Sequence, residues 1–115
     1  MLQLFLPYPP SVNNYWGFSQ SRRYLTAKAK AFKDEVHYKV IQSRYPSFGK
    51  SYIRVGVELY PPDRRKRDID NPLKPLFDSL VASGLIEDDS QIQELIVVRK
   101  EVIKGGSCRI SIEKI

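Results

Sequence analysis

The chain contains one cysteine, Cys108, and one histidine, His37. No intramolecular disulfide can form, and no zinc cluster of cysteines and histidines can be assembled. Any bound metal must therefore be held through oxygen. Apolar runs are short as well: the opening MLQLFLPYPP has no basic n-region and meets a proline at position 7, so it fits neither a signal peptide nor a spanning helix. The expected compartment is the cytoplasm, with no membrane and no disulfide partner. A glycine-rich phosphate loop is missing too, which argues against a nucleotide-sugar enzyme built around a D-x-D site. Repeats and low-complexity segments are absent.

What is present describes a folded, basic domain. At 115 residues the chain is long enough for one ordinary core, and 42% hydrophobic with 28% charged residues is a globular composition. The 19 Lys and Arg outnumber the 13 Asp and Glu, giving a net charge of +6. That excess favours a polyanionic partner, either nucleic acid or an anionic surface.

Periodicity orders the elements. LQLFL alternates as a short opening strand and is halted by Pro7, Pro9 and Pro10. A loop is expected through PPSVNNYWGFSQSRRY. Thr26 then suits a helix N-cap, with Ala29, Phe32, Val36 and Val40 at helical spacing before a stop near Pro46. From Tyr52 to Tyr60 the period becomes two, with Ile53, Val55, Val57 and Leu59 on one side. Leu73, Leu76, Phe77, Leu80 and Val81 form a second helical stripe ending at Gly84. ELIVVRKEV and SCRISIEKI read as strands joined by IKGGS, which predicts a closing antiparallel hairpin. The expectation is an α/β (α+β) domain of order β-α-β-α-β-β, with a small mixed sheet and two helices.

The connection RRKRDIDN sets four cations, Arg64, Arg65, Lys66 and Arg67, against Asp68 and Asp70. If this stretch is extended, carboxylates at i and i+2 project to the same side and can share one ion. Such a site suits Mg²⁺, a hard cation that keeps water and substrate phosphate in its remaining positions. Asn71 is assigned to the helix cap, with Pro72 at the first helical position. Lys74 lies one turn beyond Asp70, placed either to stabilise charge on a scissile phosphate or to form an i, i+4 pair with Asp70 or Asp78. Asp78 is given a supporting role.

IEDDSQ supplies further acids after the second helix, and adjacent side chains in an extended segment point apart, so only one of Asp88 and Asp89 should face a metal. The basic run fits a solvated loop or a phosphate-steering surface equally well. The N-terminal loop mixes amides, aromatics and bases, with Asn13 and Asn14 as candidate DNA contacts.

LPYPPSVNNYW, PPDRRKRDIDNPLKPLFDSL, GLIEDDSQI and KGG occur in an order and spacing that resembles the RusA family of Holliday junction resolvases, over essentially the whole chain. The resemblance implies a single endonuclease domain spanning residues 1–115 and working as a homodimer. It would be Mg²⁺-dependent, with Mn²⁺ as a substitute, and would nick two opposed strands of branched DNA. The family's acidic positions map onto Asp68, Asp70 and Asp89, its lysine onto Lys74, and its amides onto Asn13 and Asn71. One departure is the pair Pro72 and Pro75 flanking Lys74; Pro72 suits a first helical turn, while Pro75 removes an amide. On this reading Asp68, Asp70 and Asp89 hold metal, Lys74 stabilises transition-state charge, and the basic run grips the backbone. Two rival readings keep the fold: a branched-DNA binder that does not cut, and a nuclease acting on flaps, forks or structured RNA.

Overall fold

The computed structural model describes residues 1–20 and 22–115. Four strands, β1 (Leu2–Leu6), β4 (Ile53–Tyr60), β5 (Ile92–Arg99) and β6 (Ser107–Lys114), form a mixed sheet in the order β1-β6-β4-β5. β6 runs antiparallel to both of its neighbours, whereas β4 and β5 are parallel. Two helices, α1 (Ala27–Ser43) and α2 (Leu73–Ala82), complete the domain. The mixed sheet with two helices is the architecture expected from periodicity.

The core lies between the helices and one sheet face. Alternating residues of three strands bury there: Leu2, Leu4 and Leu6; Ile53, Val55, Val57 and Leu59; Cys108, Ile110 and Ile112. Opposite them are Ala29, Phe32, Val36 and Val40 of α1 and Leu76, Phe77 and Leu80 of α2. Each set is one stripe of its element, so the sequence pattern itself decides which face turns inward. The other sheet face is mixed: Glu58 bridges Lys100 and Arg109 at 3.4 and 3.6 Å, and Phe5, Ile96 and Val98 are exposed on the same side.

Two expectations are corrected. The last two strands do not pair as a hairpin, because β6 inserts between β1 and β4 while β5 takes the sheet edge. The connection crosses the end of β4, where the Lys100 N–H donates to the Leu59 carbonyl at 2.8 Å and that of Ile103 to Pro61 at 2.9 Å. Period two identifies a strand but says nothing of its partner; the unbroken alternation of β6 suits a strand flanked on both sides. The N-terminal loop, moreover, is partly regular: Val12–Asn14 form a 3-10 turn, and β2 (Trp16–Ser19) pairs with β3 (Arg22–Leu25) as a separate antiparallel hairpin.

The same N-terminal segment is tied to both helices. Thr26 caps α1 by accepting from the Ala29 N–H at 3.2 Å, and its hydroxyl donates to the Asn14 carbonyl at 2.7 Å. The Val12 N–H donates to the Asn71 carbonyl at 2.9 Å, which fixes the segment beside the entrance to α2.

Candidate active site and nucleic-acid interface

The β4-α2-β5 unit carries the acids at its two turns. Asn71 does not cap α2; Pro72 occupies the cap position without a side-chain bond, and the helix starts at Leu73. Residues 69–72 form a turn, closed where the Leu73 N–H donates to the Asp70 carbonyl at 3.1 Å. The extended i, i+2 alternation therefore stops at Asp68. Pro75 falls within the first turn of α2, whose amides lack intrahelical partners in any helix, so the helix tolerates it.

Lys74 projects from that first turn into an acidic pair. Its Nζ lies 3.0 Å from Asp89 Oδ2 and 3.2 Å from Asp78 Oδ1. Bonding to Asp89 and then to Asp78 raises the Lys74 pKa, so the ammonium stays charged. Beside this cluster the Tyr15 side chain is 2% exposed, and its hydroxyl has no hydrogen-bond partner among the described residues. Burial raises the Tyr15 pKa; the Asp78 charge adds to the rise and the Lys74 charge opposes it.

Asp88 and Asp89 are divided between two jobs. Asp88 caps the 3-10 turn Asp89–Gln91 by accepting from the Ser90 N–H at 3.0 Å, and that bond lowers its pKa. With Asp88 held in the turn, Asp89 faces Lys74. The turn rests on Gln91, which the sequence reading passed over. Its Oε1 accepts from the Glu87 and Asp88 N–H groups at 2.7 and 2.8 Å, while Nε2 donates to the Gly49 and Ser51 carbonyls at 2.7 and 2.8 Å.

The basic run is also heterogeneous. Arg67 Nη1 pairs with Asp63 Oδ1 at 2.8 Å and donates to the Asp63 and Arg65 carbonyls. Arg67 and the Arg65 N–H hold the Asp63 carboxyl at about 2. Arg67 thus shapes the loop, leaving Arg64, Arg65 and Lys66 exposed around it. A cleft of about 950 Å³ opens next to this loop, and Arg65, Lys66, Asp68, Asn71 and Asn14 are among the residues that line it. Asp70 and Asn13 are exposed, and neither lines the cleft.

Chemically, then, the site offers free carboxylates beside cations. Asp68 and Asp70 are exposed and form no ion pair among the described residues, and their all-oxygen donor set fits a hard divalent cation. Three acids are not preassembled: among the described residues, no group of three or more His, Cys, Asp or Glu is arranged to hold a metal.

Comparison with known proteins gives the family of the chain. The family model for endodeoxyribonuclease RusA matches residues 7–113. The chain belongs to the RusA endodeoxyribonuclease family. It is 39% identical over 113 residues to the crossover junction endodeoxyribonuclease rusA of Enterobacteria phage HK97, covering 98% of this chain and 94% of that protein. The crossover junction endodeoxyribonuclease RusA of Escherichia coli strain K12 is 35% identical over 108 residues, covering 93% and 89%. The RusA of Shigella sonnei strain Ss046 matches with the same identity and coverage. All the segments that suggested RusA in the sequence lie within the matched region, apart from the leading leucine of the first.

Proposed function

We propose that this chain is a divalent-metal-dependent endodeoxyribonuclease that resolves four-way DNA junctions. RusA membership gives the activity class, and the observation carrying the mechanism is a pair of unpaired carboxylates, Asp68 and Asp70, between a basic loop and the Lys74–Asp89 cluster. Asp68 and Asp70 would hold the ion, with Asp89 as the third oxygen ligand once Lys74 lets go of it. Mg²⁺ bound there, or Mn²⁺ in its place, would lower the pKa of a bound water and offset charge on the phosphoryl oxygens.

The chain's own groups do the rest. Lys74 is placed to exchange a carboxylate for a phosphoryl oxygen, keeping its proton as charge builds on the phosphate. Asp78 retains its hold on the lysine and limits its swing. Arg64, Arg65 and Lys66 neutralise the backbone, and Asn13, Asn14 and Asn71 supply polar contacts near it. His37 is not required as a base.

Paired nicks need two sites related by symmetry, which a two-fold homodimer would provide on a near-symmetric junction. Edge strand β5 supports this assembly, since Leu95, Ile96 and Val98 are exposed along it. An open apolar edge is the kind of surface that a second strand covers.

Product analysis on matched four-way junction, flap, fork and linear duplex tests the reading. Symmetric paired nicks confined to the junction support it. Preferential cutting of flaps or forks would change the substrate, and salt-sensitive binding without any product would leave a binding module.

A further inference from the structure

The 950 Å³ cleft gathers three of the segments that resemble RusA, although they are far apart in sequence. The proline segment contributes Pro7, Tyr8, Pro9 and Pro10; the basic connection contributes Pro62, Arg65, Lys66 and Asp68; and the KGG turn contributes Gly105. Helix α1 closes the remaining side with Lys28, Ala31 and Glu35.

Tyr8 is braced from behind. Gly106 has φ +75°, and a Cβ there would meet Tyr8 Cβ at 2.8 Å and Pro62 at 3.3 Å. Any larger residue would displace Tyr8 or Pro62, both of which line the cleft. Arg67, held by Asp63, sets its guanidinium 5.9 Å from the Tyr8 ring centroid. The glycine turn and the half-buried ion pair therefore serve the shape of this space, a role the cutting mechanism does not itself require.

We propose that this cleft receives one unpaired nucleotide of the strand being cut. The inference rests on the junction-cutting reading and names the part of the substrate that the site recognises. A duplex is too wide for a space of this size, whereas a small organic group is suited to about 300–1,000 Å³. Proline rings and Tyr8 provide apolar surface for a base face, and Asn14, Asn71 and Glu35 provide donors and acceptors for its edge. Lys28, Arg65 and Lys66 match the charge of the attached phosphates, and Asp68 also lines the cleft, which puts the recognised nucleotide next to one of the proposed metal-binding acids. Unstacking a base costs least where pairing is already interrupted. The pairs that flank a branch point lose continuous stacking and open at lower cost than those of an intact duplex, so occupancy of the cleft would itself select branched DNA.

The test is photo-crosslinking of the full chain to synthetic four-way junctions carrying a single 5-iodouracil, moved stepwise across the branch, in metal-free buffer so that the DNA stays intact. Binding is followed in the same titration by fluorescence anisotropy. An adduct mapped to Tyr8, limited to one or two branch positions and absent with linear duplex, is the expected result. Filling the cleft from exposed α1 with Ala31→Trp should lower that yield about tenfold at protein concentrations that saturate the junction; circular dichroism confirms that the variant is folded. Adducts found only outside the cleft, or equally with paired linear DNA, would overturn the inference while leaving junction binding intact. Absence of junction binding by anisotropy would instead overturn the functional reading on which the inference stands.

Discussion

Lys74 Nζ sits 3.0 Å from Asp89 Oδ2, joining the first turn of α2 to the turn that precedes β5. The pair is exposed, and such pairs contribute only about 0–1 kcal/mol. A scissile phosphate or a metal can therefore compete for either partner at little energetic cost. Lys74→Met should leave stability to urea within about 1 kcal/mol of the parent. Junction cleavage should nevertheless fall by about 100-fold or more, the usual loss when a group that stabilises transition-state charge is removed. Single-turnover cleavage beside urea denaturation checks both halves, and loss of stability matching the loss of activity would make Lys74 merely structural.

Tyr15 gives a prediction of opposite sign. Its hydroxyl is buried without a partner among the described residues, and an unsatisfied polar group costs about 1–3 kcal/mol. Tyr15→Phe should be neutral or stabilising in urea. A clear destabilisation would mean that the hydroxyl is bonded in solution.

Gln91 bridges Glu87 and Asp88 on one side and Gly49 and Ser51 on the other, in a site only 6% exposed. Gln91→Leu removes all four bonds and leaves the backbone groups unsatisfied, which should cost about 2–4 kcal/mol. Chemical denaturation measures this directly. An unchanged midpoint would show that the acid-bearing turn stands without its buried amide.

How much of this was legible beforehand depends on whether the signal was local. Thr26 and the Ala29, Phe32, Val36, Val40 stripe announced α1 because a cap and a helical period lie within one segment. The partner of β6 was not legible, because pairing joins residues distant in sequence. The β2-β3 hairpin hid in a loop reading because most of it is exposed; its one clue is Gly17, opposite Tyr24, whose ring a Cβ at Gly17 would meet at 2.4 Å. In the site, the acids were legible as residue types. Their division of labour was not, since only the folded turn commits Asp88 to the Ser90 amide and leaves Asp89 to Lys74.

Cys108 makes the fold sensitive to alkali. It is fully buried in β6, and burial pushes its thiol up to about 12. In the unfolded chain the thiol ionises near 8.5, so the folded state holds the extra proton between these values. The thiol's contribution is complete below about pH 8.5 and is lost as pH rises toward 12, with a limiting slope of about 1.4 kcal/mol per pH unit. Cys108→Val should therefore gain on the parent progressively above about pH 8.5 in parallel denaturation series. A stability difference that does not change with pH would contradict the burial of an un-ionised thiol.

The central claim is that Asp68 and Asp70 form the metal-binding half of a junction-cutting site. Its most direct test is cleavage of an end-labelled four-way junction by the parent chain and by Asp70→Asn, each with and without Mg²⁺. Paired symmetric nicks should appear only with the parent chain and Mg²⁺, while Asp70→Asn binds the junction and does not cut it. Undiminished cutting by Asp70→Asn, or by the parent with all divalent metal chelated, would contradict the account.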